Sequence, residues 1–306
     1  LFDSVYLAGS FNYWQTSSPS YKLERQGLDD LYRITLDLPA GNYEFKLTRG
    51  SWESTETTAT GGHLPNRALT VTSNTKLKLT VQHWNDVRKG KNTVAGNVYM
   101  LDSQFGYPEF NASKRIWIYL PRDYSSATTK RYSVVYMHDA QNLFDSLYSF
   151  IGQEWGIDEA MERFASQGRD TSIVVGLENT NLRMDELTPY SHPKYGGGKA
   201  DAYLSFVVNR LKPFIDSKFR TRADRLSTAI VGSSLGGLAS FYAGLKYQSV
   251  FGKVGVFSPS FWFSEEIYSF ASQVNKEFTD SKFYFLCGAQ ESDSMVSDMV
   301  RMTNIM

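Results

Sequence analysis

One stretch restricts the possible folds more than any other. Strand-forming residues from Ser227 to Val231 run into Gly232-Ser233-Ser234-Leu235-Gly236-Gly237, and a helical pattern follows with Leu238, Phe241, Tyr242 and Leu245. This is a G-x-S-x-G pattern in which a strand feeds a sharp turn that opens a helix. Such a turn holds its central residue, Ser234, in a strained backbone with the hydroxyl pushed out above a sheet. Glycines at 232 and 236 suit it, because a side chain there would collide with the neighbouring strand or helix. The helix N-terminus supplies oriented N–H groups and a positive dipole end, suited to an oxyanion. Ser234 is therefore a candidate nucleophile; a tight structural turn is the competing reading.

At 306 residues the chain has material for one large domain or two smaller ones. Its 32 Lys and Arg balance its 32 Asp and Glu, and no basic block or basic–aromatic stripe occurs. Nucleic acid is thus not expected as a partner. The one cysteine, Cys287, excludes an internal disulfide and a cysteine-based zinc site, and its apolar surroundings predict a core thiol. No apolar run approaches bilayer-spanning length, so no membrane partner is expected. The chain starts within a strand pattern, Ser4 to Ala8, so any signal peptide is expected to be removed or never present. The compartment stays open, with a secreted or periplasmic location favoured.

The first hundred residues alternate short strand patterns with turns. Val5 to Ala8, Leu31 to Leu38, Asn42 to Thr48, Arg67 to Thr72 and Lys76 to Val81 alternate apolar and polar positions or are rich in strand formers. Regular short strands over this length predict a β-sandwich across residues 1–87, and the polar, glycine-bearing stretch 88–96 reads as a linker. Leu7-Ala-Gly-Ser-Phe-Asn-Tyr-Trp14, Tyr43 to Glu53 and Pro65-Asn-Arg67 resemble a starch-binding-type carbohydrate-binding module. The resemblance implies glucan binding, with Trp14 and Trp52 at the positions that stack on sugar rings. A spacer with Trp14 packed under its own hairpin is the alternative.

From residue 97 onward, buried strand patterns alternate with helices. Asn97 to Leu101 and Arg115 to Pro121 read as an antiparallel pair. Tyr132 to Met137, Thr171 to Leu177, Lys253 to Phe257 and Ser281 to Cys287 read as buried strands. Gly156 to Phe164 and Tyr203 to Phe219 read as helices, the second interrupted near Pro213. The fold class is α/β with a mainly parallel sheet, preceded by a small all-β domain. Functional loops should lie beyond the carboxyl ends of the strands.

Four segments carry a second resemblance, over residues 97–306. They are Tyr136 to Asp145, Asn179 to Pro189 with Arg183 and Glu186, Val231 to Gly237, and Leu286 to Glu291. Together they resemble the esterase branch of the α/β-hydrolases that includes feruloyl, acetylxylan and enterochelin-type esterases. That resemblance implies a serine carboxylic-ester hydrolase, using an acyl-enzyme on Ser234 and needing neither cofactor nor metal. Leu235 supplies one backbone oxyanion donor, and Asp139 or Ala140 the other, ahead of Gln141. His138 belongs to the oxyanion loop and is a minor candidate for the base. Glu291 is the triad acid, with Asp293 as the alternative and Ser292 or Asp293 capping the following helix. Arg183, Glu186, Phe261 and Trp262 are candidate substrate contacts, with Tyr190 nearby and core packing the alternative for either ring.

The sequence departs from the family in one respect. Its triad order is serine, acid, histidine, yet the four histidines, His63, His83, His138 and His192, all precede Ser234. The expectation is that the protein continues past Met306 and carries its base there. Without that base this chain is expected to be nearly inactive. The leading function is an esterase of acylated carbohydrate, on a small or polymeric ester. The alternatives are a siderophore trilactone esterase, or a non-catalytic carbohydrate-binding protein on a hydrolase scaffold.

Overall fold

The computed structural model describes residues 4–26, 31–59, 62–87, 92–150, 152–275, 277–278 and 280–306. Two compact units emerge, Leu1–Thr93 with Asp145–Trp155, and Val94–Phe144 with Gly156–Met306. Residues 88–91 of the expected linker lie outside the described residues. Nothing in the sequence pattern signals that Asp145–Trp155 groups with the first unit.

The first unit contains β1 (Val5–Gly9), β2 (Lys22–Arg25), β3 (Tyr32–Arg33), β4 (Gly41–Thr48), β5 (Glu56–Thr57), β6 (Arg67–Val71) and β7 (His83–Trp84). Strands β3-β2-β1-β4-β6 form an antiparallel sheet, and β5 pairs with β7. Val5, Leu7, Leu23, Phe45 and Leu47 are its buried core, with Leu69, Val81 and Trp84 packed against them. A buried carboxylate, Glu56, is held by the guanidinium of Arg67 at 2.7–3.0 Å and by the N–H of Leu47. Two expected strands differ. Only Tyr32–Arg33 of the segment Leu31 to Leu38 is paired, and Lys76 to Val81 forms no strand. Residues 76–80 are exposed, so their alternation has no core face to bury and nothing stabilises pairing. The segment Asp145–Trp155 contributes a Ser149 carbonyl that accepts from Asn85 Nδ2 and a Phe150 ring 5.7 Å from that of Trp52.

The second unit is built on β8 (Asn97–Tyr107), β9 (Ala112–Leu120), β10 (Val134–His138), β11 (Ile173–Leu177), β14 (Thr228–Ser233), β15 (Lys253–Phe257) and β16 (Lys282–Leu286), with a small hairpin of β12 (Ser191–His192) and β13 (Gly196–Gly197). The seven strands lie in the order β16-β15-β14-β10-β11-β9-β8. The five from β10 to β16 run parallel, and β8 and β9 run antiparallel. Every residue of β11 is buried, as expected of a parallel strand covered on both faces.

Helices α1 (Ile157–Ser166), α2 (Arg183–Leu187), α3 (Ala200–Phe206), α4 (Lys212–Lys218), α5 (Leu235–Lys246), α6 (Glu266–Gln273) and α7 (Met295–Ile305) complete the unit. A wide π turn, Val207–Leu211, joins α3 to α4. Pro213 follows it and has no N–H for the carbonyl four residues back, so the helix widens by one residue instead of breaking. Helix α5 is buried from Leu235 to Leu245, the pattern of a helix apolar on all sides. Cys287, expected in the core, is half-buried just after β16. Strand order sets the site. Strands β10 and β14 are neighbours with Met137 opposite Val231, so the loops leaving their carboxyl ends lie side by side.

Candidate active site

Ser234 joins β14 to α5 with φ 56° and ψ −121°, a backbone that L-residues rarely adopt. The residue is exposed while its neighbours on the helix are buried. The turn needs glycine for close approach. A methyl group on Gly232 would lie 2.5 Å from the Gly236 carbonyl oxygen and 2.7 Å from His138 Cδ2. On Gly237 it would lie 2.7 Å from the Phe257 carbonyl oxygen.

The loop after β10 packs onto this elbow. Asp139 takes a left-handed conformation, φ 58° and ψ 49°, and Ala140 opens a short helical turn. Arg183, the first residue of α2, grips the Asp139 carboxylate with two hydrogen bonds of 2.7 and 2.8 Å. Burial alone would raise the Asp139 carboxyl; the guanidinium more than offsets this and leaves it below the usual carboxylate range. His138 is buried, and its Nδ1 pairs with the Tyr203 hydroxyl at 2.7 Å. Burial pushes its pKa down to about 4, so it is neutral at pH 7. Its ring lies beneath the elbow, and among the described residues its Nε2 has no hydrogen-bond partner. His192 is likewise engaged, its Nδ1 accepting from the N–H groups of Lys194 and Tyr195.

Glu291 lies on the exposed loop after β16, where Oε1 accepts from Ser258 Oγ at 2.8 Å and from the N–H of Gly288 at 2.5 Å. Asp293 is exposed on the same loop. Ser292 Oγ accepts from the N–H of Met295 at the start of α7. Ser234, Leu235, Asp139 and Ala140 thus cluster at the carboxyl ends of β10 and β14. The turn after β15 carries Ser258, which holds Glu291.

The expected substrate contacts divide. Glu186 is fully buried, paired with Lys114 at 2.9 Å and accepting from Thr180, so it does not reach a surface. Phe261 is also buried, 5.1 Å from the Phe241 ring and 6.0 Å from that of Tyr268. Trp262 is 51% exposed and stands edge-on to Tyr195. Arg183 retains some exposure, with its Nε and Nη2 engaged by Asp139. Sequence reasoning missed Lys114, Tyr203 and Ser260. Lys114 and Tyr203 act from elements remote in the chain, with no local pattern to mark them. Ser260 stood in view as the second serine of Ser258-Pro-Ser260, directly after a β-strand.

In the first unit, Trp14 has φ 60° and its ring centroid lies 6.2 Å from that of Trp52, tilted by 37°. Asn12 fixes the turn before Trp14, accepting from Gly9 N–H and donating to the Leu7 and Gln15 carbonyls.

Residues 6–87 match the pullulanase X25 domain. Over 84 residues the chain is 50% identical to an alpha-amylase of Niallia circulans, covering 27% of this chain and 6% of the amylase. The uncharacterized protein YbbA of Bacillus subtilis is 32% identical over 157 residues, 49% of this chain and 58% of that protein. The chain therefore spans less than two thirds of either relative. In fold, the chain resembles the enterobactin esterase of Shigella flexneri, with a TM-score of 0.54 and 15% identity over 99% of this chain and 79% of that one. Residues 108–291 match the family described as Putative esterase. With that match across more than half its length, the chain belongs to this esterase family.

Proposed function

We propose that the protein is a serine carboxylic-ester hydrolase that acts on acylated carbohydrate. The observation that carries this reading is the backbone of Ser234, held at φ 56° and ψ −121° between β14 and α5. Strain of this kind persists only where the surroundings enforce it, and it lifts the hydroxyl clear of the sheet. Ser234 Oγ attacks the ester carbonyl as its proton passes to an imidazole. The negative charge on the carbonyl oxygen is met by the N–H of Leu235 and a backbone N–H at Asp139 or Ala140. Collapse expels the alcohol, and water releases the acyl group from Ser234 by the reverse sequence. Glu291 orients the imidazole. No described contact brings any of the four histidines to Ser234 Oγ, so the base is required in addition to the groups named.

The carbohydrate half of the proposal rests on the X25 match and on the paired rings of Trp14 and Trp52. Sugar C–H faces complement aromatic faces, and two such rings offer neighbouring stacking surfaces. Trp262, exposed on the turn that follows β15, is the aromatic contact for the ester. Incubation of the full-length protein with a fluorophosphonate, followed by digestion, should give one labelled serine, Ser234. A label on another serine, or undiminished labelling of Ser234→Ala, refutes the assignment.

A further inference from the structure

The turn Ser258-Pro259-Ser260, which leaves β15, touches both ends of the proposed catalytic machinery. Three hydrogen bonds bind this turn and the end of β15 to the nucleophile. The N–H of Ser234 donates to the Phe257 carbonyl at 3.1 Å, the N–H of Ser260 donates to the Ser234 carbonyl at 3.0 Å, and the two serine Oγ atoms lie 3.2 Å apart. Ser258 faces the other way. Its backbone is left-handed, with φ 40°, its N–H donates to the Leu286 carbonyl at 2.7 Å, and its Oγ donates to Glu291. The close approach of Gly237 to Phe257 and Pro259 seats the turn directly on the elbow. Ser260 itself is 3% exposed. A buried hydroxyl requires a partner, and among the described residues the partner of Ser260 Oγ is the nucleophile oxygen.

We propose that Ser260 is a further catalytic residue, whose hydroxyl hydrogen-bonds the Ser234 oxygen through the reaction; this rests on Ser234 being the nucleophile. A serine hydroxyl is both donor and acceptor. In the resting enzyme the pair fixes the rotamer of Ser234. As the base removes the Ser234 proton, Ser260 O–H turns to donate to Ser234 Oγ, and a hydrogen bond to an oxygen gaining charge is stronger than one between neutral groups. The Ser234 proton goes to the imidazole, while the Ser260 proton stays on Ser260, so nothing is consumed. Ser258 supports the same geometry by holding Glu291 from two residues away. One short turn therefore sets the spacing between nucleophile and acid.

The test compares Ser260→Ala and Ser260→Thr with the unmutated full-length protein. Two rates are measured: turnover of a simple aryl ester, and phosphonylation of Ser234 by a fluorophosphonate. Ser260→Ala should lower kcat and the phosphonylation rate together by about 10- to 100-fold, the order expected for a lost hydrogen bond to a charged group. KM should stay within about twofold, because the ground-state ester does not need this bond. Ser260→Thr keeps the hydroxyl and should recover most of both rates. Equal rates in Ser260→Ala and the unmutated protein, with Ser234 labelled in both, would overturn the proposal while leaving Ser234 as nucleophile. Ser260→Thr as slow as Ser260→Ala would also overturn it, by showing that volume and not the hydroxyl matters. No label on Ser234 in the unmutated protein would overturn both assignments.

Discussion

Replacing Lys114 by methionine tests how helix α2, which carries Arg183 and Glu186, is anchored. Lys114 Nζ lies 2.9 Å from Glu186 Oε1, and both side chains are 1% exposed. The ammonium also donates to the Glu178 carbonyl at 2.8 Å and sits about 5 Å above the rings of Tyr107 and Tyr203. Lys114→Met would leave the Glu186 carboxylate in the interior with the N–H and hydroxyl of Thr180 as its remaining donors. Breaking a buried pair from one side costs about 3–5 kcal/mol. For a unit of this size that corresponds to a fall of roughly 6–20 °C in Tm. Glu186→Gln should cost less, because burial already lowers the Lys114 pKa and the amine can shed its proton. The double variant Lys114→Met/Glu186→Gln removes both charges while keeping an acceptor for Thr180, and should be more stable than Lys114→Met alone. Urea unfolding near pH 7, following the transition of the second unit, measures all four proteins. The reasoning fails if Lys114→Met unfolds within about 1 kcal/mol of the unmutated protein, or if the double variant is as unstable as the sum of the singles.

Two further outcomes are expected. His138 has a folded pKa lowered by burial to about 4, against about 6.5 when unfolded, so its contribution is present above pH 6.5 and lost as pH falls toward 4. His138→Asn should flatten the loss of stability across that window by about 3 kcal/mol, and an unchanged slope in urea unfolding would refute the buried, neutral state. Trp14→Ala or Trp52→Ala should weaken retention in a starch affinity gel, by about 1 kcal/mol for each lost stacking contact; no retention of the unmutated protein would leave the first unit as a spacer.

The elbow was legible because its signal is local. Strand, glycines, serine and helix lie within one continuous stretch, and each residue type is required by its immediate neighbours. The parallel sheet was legible for a similar reason, since uninterrupted apolar runs such as Ile173–Leu177 have few other uses. The outcome for the candidate substrate contacts was not. Glu186 sits in a polar, proline- and glycine-bearing segment that reads as solvated, and its partner Lys114 comes from β9, where the sequence shows only a charged position beside Arg115. Neither residue announces a buried ion pair when read alone. Phe261 and Trp262 are adjacent aromatics in a short turn, and one residue of rotation decides which is buried. Alternation misled at Lys76 to Val81 because a period of two is necessary for a half-buried strand but does not supply the neighbour it must pair with.

The adjacency of β10 and β14 has a consequence for the order in which the protein acquires its chemistry. Parallel neighbours cannot be joined by a tight turn, and here β11 and helices α1 to α4 intervene in the chain. The two halves of the candidate site, the loop at Asp139 and the elbow at Ser234, stay unconnected until Val134 finds Thr228 across that distance. Closing so long a loop is entropically costly and slow. During synthesis, the residues around Asp139 therefore emerge well before the strand they must lie against, and the site is assembled late, in one long-range step.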